Sequence, residues 1–114
     1  MLKKQLKINI GISNENISFQ FIVIGEGDAG YRTYLEQLKE KYPNKIGTHF
    51  SFDARLPRMI FSGSDAVLIP SRFEPSGLVQ MEAMIYVCIP IVRKVGGLAD
   101  SVDDFTPEKE EGTG

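Results

Sequence analysis

Tryptophan is absent from this 114-residue chain, cysteine and histidine occur once each, and neither sign of charge dominates. A single cysteine, Cys88, excludes an intramolecular disulfide, and with His49 alone beside it no Cys/His zinc site can be assembled. Cys88 lies in an apolar run and reads as a small buried core residue; His49 closes a strand-like stretch and reads as structural. A formal net charge of −2 argues against nucleic acid or a membrane surface as partner, because both need clustered positive charge. Lys3, Lys4 and Lys7 read as a solvated helix end. No run of about eighteen apolar residues is available to span a membrane. The opening Met-Leu-Lys-Lys lacks the apolar centre of a secretory signal.

What is present is ordinary for a globular protein: 42% hydrophobic and 25% charged residues, enough for one domain with a small core. Short apolar runs alternate with helical patterns. Phe19 to Ile24 is a buried strand ending at Gly25. Asp28 caps a helix carrying Tyr31, Leu35, Leu38 and Tyr42, which Pro43-Asn44 stops. Lys45 to Phe50 is a second strand. Asp53 caps a short helix bearing Leu56, Met59 and Ile60, with Pro57 in its first turn. Ala66 to Ile69 is a third strand, Gly77 to Tyr86 a helix, and Cys88 to Val92 a fourth strand containing Pro90. Leu2 to Ile8 reads as a helix remnant, Asn14-Glu15-Asn16 as a loop, and the polar stretch 107–114 as a mobile tail. The alternation predicts an α/β fold, a Rossmann-like doubly wound and mainly parallel sheet of about four strands.

In such sheets ligands bind beyond the carboxyl ends of the strands. Four segments converge there: Gly25 to Asp28, Ser51 to Asp53, Ser71 to Gly77 and Lys94 to Gly97. Pro70-Ser71-Arg72-Phe73-Glu74-Pro75-Ser76-Gly77-Leu78 leaves a strand and opens a helix. The N–H groups of Gly77, Leu78 and Val79 are free to face an anion; equally, Ser76 could be an ordinary N-cap. Glu74 and Glu82 could both face the crevice, where acceptor-only carboxylates suit sugar or ribose hydroxyls; two solvated surface acids is the alternative. Lys94-Val95-Gly96-Gly97-Leu98 permits close backbone approach to a ligand or makes a plain turn. Gly25-Glu26-Gly27 lacks the third glycine of a dinucleotide fingerprint.

The ordered set Ser71-Arg72-Phe73-Glu74-Pro75-Ser76-Gly77-Leu78-Val79-Gln80, then Ile89-Pro90-Ile91-Val92-Arg93-Lys94-Val95-Gly96-Gly97-Leu98-Ala99-Asp100, resembles the glycogen and bacterial starch synthases. These are retaining glycosyltransferases with two Rossmann-like domains. The resemblance runs from about Phe19 to Gly114 and implies part of the C-terminal, nucleotide-sugar-binding domain. It implies that Glu74 contacts the transferred glucose near the reaction centre. Gly77, Leu78, Gly96 and Gly97 would surround the diphosphate and sugar. Phe52 would lie against the adenine and Glu82 would bind ribose hydroxyls. The donor implied is ADP-glucose, with no metal and no separate cofactor; the α-glucan acceptor would be met only in an intact parent. A UDP-sugar donor, or a non-catalytic nucleotide-binding or interaction module, are the rival readings.

Departures from the family pattern carry expectations of their own. The segment Leu2 to Ser18 holds no copy of the family's arginine and lysine that reach the diphosphate, and the acceptor-side domain lies outside the chain, so the chain alone is expected to be inactive. Ser76 replaces a frequent cysteine. Ile85 and Val87 replace arginine and glycine after the helix, which favours a locally altered helix end. Exposed sheet edges imply marginal stability or self-association. The setting expected is cytoplasmic, or a plastid for a parent that has lost a targeting segment.

Overall fold

The computed structural model describes residues 18–114, so the helix remnant, the loop at Asn14 to Asn16 and the segment compared with the cationic motif lie outside the described residues. The chain divides between Phe52 and Asp53 into two compact units.

The first unit runs β1 (Phe21–Ile24), α1 (Ala29–Lys41), β2 (Ile46–His49). β1 and β2 pair in parallel, Phe21 opposite Ile46 and Ile24 opposite His49. The crossover between them is α1, the connection a parallel pair requires. The Asp28 carboxylate accepts from Gly30 N–H at 2.8 Å, holding a donor that the first helical turn leaves free. Lys39 and Lys41 stand in the last turn, where the helix dipole favours cations. The apolar spacing puts Leu35 and Leu38 on one face, buried against Ile46, with Phe21, Val23, Tyr34, Tyr42 and Phe50 packed around them.

The second unit runs α2 (Leu56–Ser62), β3 (Ala66–Ile69), α3 (Val79–Ile85), β4 (Ile89–Val92) and α4 (Gly96–Ser101). The N-cap of α2 is Arg55, with no side-chain cap bond; Asp53, expected as the cap, stands two residues earlier, its Oδ1 accepting from Arg55 N–H at 2.8 Å and Leu56 N–H at 3.2 Å. Of α2, Phe61 is the buried side chain, and Met59 is 67% exposed. β3 and β4 pair in parallel, Ala66 opposite Ile89 and Ile69 opposite Val92. Phe61, Ala83 and Cys88 form the core with Val67 against it. Burial pushes the Cys88 thiol above its usual range, and the Asp65 carboxylate pushes the same way. The α/β class and parallel pairing match the sequence; the four strands are hydrogen-bonded as two pairs.

Two segments depart from the sequence reading. Gly96-Gly97, read as a close-approach or plain turn after the fourth strand, opens the helix α4 instead. The end of α3 is the other. Val87 N–H reaches Met84 O and Cys88 N–H reaches Ala83 O, each at 3.0 Å, the bond pair of a glycine-type helix stop. Val87 holds that stop at φ 60°. The helix end has not adjusted: a β-branched residue occupies the left-handed conformation. Beyond α4, residues 103–114 fold back on themselves, with Phe105 N–H bonded to Gly114 O and Thr113 N–H to Asp103 O, both at 2.9 Å. No helix among the described residues is long and apolar enough to cross a membrane.

Candidate functional site

The segment Pro70 to Leu78 joins β3 to α3, and Arg93 to Val95 joins β4 to α4. Both therefore lie at the carboxyl ends of one parallel pair. A backbone bond fastens them together: Gly97 N–H donates to Glu74 O at 2.9 Å. The approach is closer than any side chain allows. A Cβ on Gly96 would overlap the Glu74 carbonyl, and one on Gly97 the Ser76 carbonyl. Gly96 also sits at φ +47°, so only glycine fits this crossing without strain.

Glu74, half-buried, accepts from Ser71 Oγ at 3.3 Å. The loop then turns through Gly77 at φ +58°, where a Cβ would stand 3.0 Å from Glu74 Cγ. The following helix has Leu78 at its N-cap with no side-chain cap bond. Ser76 therefore does not cap it, and the leading N–H groups of α3 are left to other partners. α4 likewise starts at Val95 without a side-chain cap.

Five of the seven sequence-derived residues thus come together: Glu74, Gly77, Leu78, Gly96 and Gly97. Leu78 is 66% exposed beside them. Glu82 lies in the first turn of α3 with its residue exposed. Phe52 belongs to the first unit and is 86% exposed. Among the described residues, no group of three His, Cys, Asp or Glu side chains could hold a metal ion.

Sequence reasoning missed Gln80. Its side chain is fully buried, and Nε2 donates to Gly77 O at 2.7 Å and to Ser101 Oγ at 2.9 Å. Ser101 Oγ in turn donates to Gly97 O at 2.6 Å. The available signal was helical spacing: Gln80 shares the inward face of α3 with Ala83, and a buried amide requires partners.

The sequence profile of the glycosyl transferases group 1 matches residues 2–110. The glycogen synthase of Acholeplasma laidlawii is 47% identical over 95 residues, which cover 83% of this chain and 20% of that protein. The glycogen synthase of Thermotoga maritima is 45% identical over the same span and coverage. The catalytic domain of starch synthase IV from Arabidopsis thaliana, bound to ADP and acarbose, superposes with a TM-score of 0.70 at 33% identity, covering 91% of this chain and 23% of that one. The chain thus spans about a fifth of the length of the curated relatives it matches. With the profile running over nearly all of its residues, the chain belongs to the glycosyl transferases group 1.

Proposed function

We propose that this chain is the donor-binding part of a glycogen or starch synthase. The parent enzyme transfers glucose from ADP-glucose to the non-reducing end of an α-1,4-glucan with retention of configuration. One observation carries the reading: the backbone of Glu74 is fastened to Gly97, so a carboxylate and two glycine turns share one strand end. That arrangement offers an acceptor to sugar hydroxyls and, where α3 starts without a side-chain cap, N–H groups to an anion. The similarity to a starch synthase solved with ADP supports adenine as the base, and the family resemblance is what proposes Phe52 as the ring against it. Glu74 is the residue proposed at the transferred glucose, and Glu82 at the ribose.

The reaction needs cationic stabilisation of the departing diphosphate and a bound acceptor. The segment Leu2 to Ser18 holds no copy of the family's arginine and lysine that reach the diphosphate, and the chain spans about a fifth of the length of the glycogen synthases it matches, so the isolated chain is proposed to bind donor without turning it over. Self-association through exposed sheet edges belongs to the same proposal; sedimentation of a strict monomer at every concentration would remove it.

The test is an NMR titration of the labelled chain with ADP, UDP and ADP-glucose. Selective shifts at Phe52, Gly77 and Gly96 with the two adenine ligands, and weaker ones with UDP, are expected. A preference for UDP would reassign the donor. No shifts in a folded sample would withdraw donor binding from this chain.

A further inference from the structure

We infer that Gln80 is a positioning residue for the donor loops, keeping the turn at Gly77 and the turn at Gly96-Gly97 in a single register; this rests on the donor-binding reading above. The amide is fully buried and touches both turns, Gly77 O directly at 2.7 Å and Gly97 O through Ser101 Oγ. A serine hydroxyl has one proton. Ser101 gives it to Gly97 O, so it must accept from Gln80, which fixes Nε2 toward Ser101 and leaves the opposite oxygen. That oxygen, Oε1, has no hydrogen-bond partner among the described residues.

Packing alone does not account for a glutamine here. A leucine of similar volume would fill the space and leave no orphaned acceptor, whereas buried polar atoms are nearly always paired. What glutamine supplies and leucine lacks is a pair of donors, one to the Gly77 carbonyl and one to the Ser101 hydroxyl that itself bonds Gly97 O. The amide also lies hard against Gly77, where a Cβ would meet Oε1 at 2.7 Å and Nε2 at 2.8 Å. Gly77 and Gln80 are therefore fitted to each other. Holding the Gly77 carbonyl inward orients the peptide plane that carries the Leu78 N–H, while the Leu98 N–H beyond Gly97 donates to Val95 O at 3.1 Å and keeps the second turn closed.

The experiment compares the labelled chain with Gln80→Leu, Gln80→Glu, Ser101→Ala and Ser101→Thr, reading ADP affinity by NMR and amide exchange residue by residue. Gln80→Leu should weaken ADP binding about tenfold and lower Gly97 protection about tenfold, the effect of losing buried hydrogen bonds, while Leu35 keeps its protection. Ser101→Ala should weaken ADP about threefold, and Ser101→Thr, with its hydroxyl restored, should match the unsubstituted chain. Gln80→Glu should bind poorly as the carboxylate, which repels the Gly77 carbonyl. It should recover, relative to the unsubstituted chain at each pH, as protonation restores a donor.

Unchanged ADP affinity in folded Gln80→Leu overturns the inference, as does Ser101→Thr behaving like Ser101→Ala. Should Gln80→Leu fail to fold, the Ser101 pair decides alone. Should the unsubstituted chain bind no ADP, the donor reading fails by itself and Gly97 exchange still judges positioning. Selective loss there upholds it; uniform loss or none overturns it.

Discussion

In the first unit Leu35 and Leu38 of α1 press on Ile46 of β2, a helix laid over two strands with a conventional carboxylate cap. In the second, a core of Phe61, Ala83 and Cys88 is accompanied by a buried amide, two glycines in backbone contact with Glu74 and Ser76, and a valine at positive φ. The first unit is specified by which side chains are apolar and how they are spaced. The second is specified by what the backbone must do between its strands and helices. Apolar spacing tolerates exchange of one hydrocarbon for another. Backbone crossings tolerate almost nothing, and in this molecule they coincide with the candidate site.

Substitutions can break that contrast. Gly96→Ala should be the most damaging, about 4 kcal/mol, since it adds left-handed strain to overlap with a carbonyl that cannot rotate away. Residue-resolved hydrogen exchange should show the loss in residues 53–114 and spare Leu35; equal losses in both units would defeat the contrast. Leu35→Ala should cost about 3 kcal/mol through the cavity it leaves, with Gly97 the spared reporter. Val87→Gly should raise stability by about 0.5 to 1 kcal/mol, the relief of strain less the extra freedom of an unfolded glycine. The side chain it removes is 86% exposed and forfeits little packing. An unchanged or lower melting temperature would show that Val87 sits there without cost.

The smallest effect concerns Cys88. Desolvation, aided by Asp65, favours the protonated thiol in the folded state. The stability this provides is whole below the free thiol's pKa of about 8.5 and falls as pH rises toward the folded value. At pH 8 a thiol reagent should react with the folded chain far more slowly than with the denatured one; equal rates would show the core open.

The same contrast governs how much the sequence discloses. Periodicity and caps locate α1 and all four strands to within about two residues, because those signals are local. Glu74, Gly77, Leu78, Gly96 and Gly97 are legible from the strand-to-helix junctions and the family resemblance. The α4 turn is not, since two leading glycines, one of them at φ +47°, read as loop. Nor is Phe61 favoured over Met59 by a seven-residue helix, too short for its period to choose a face. Gln80 escapes because polarity suggests solvent until its partners are known. The Val87 stop shows the converse: the bonds at Met84 and Ala83 impose the conformation, and the residue complies.

The bond from Gly97 to Glu74 and the bridge through Ser101 also set an order of events. During synthesis the chain emerges from its N-terminal side, so Ser71 to Gly77 is exposed before either partner exists. Until Gly97 and Ser101 are free of the ribosome, that segment has its local bonds to Gln80 and within the loop but neither the Gly97 bond nor the Ser101 bridge. The first unit needs nothing beyond Phe50 for its packed helix and strands. A nascent chain exposed only as far as residue 95 would carry a formed first unit and a Ser71 to Gly77 loop still without its backbone bond to Gly97.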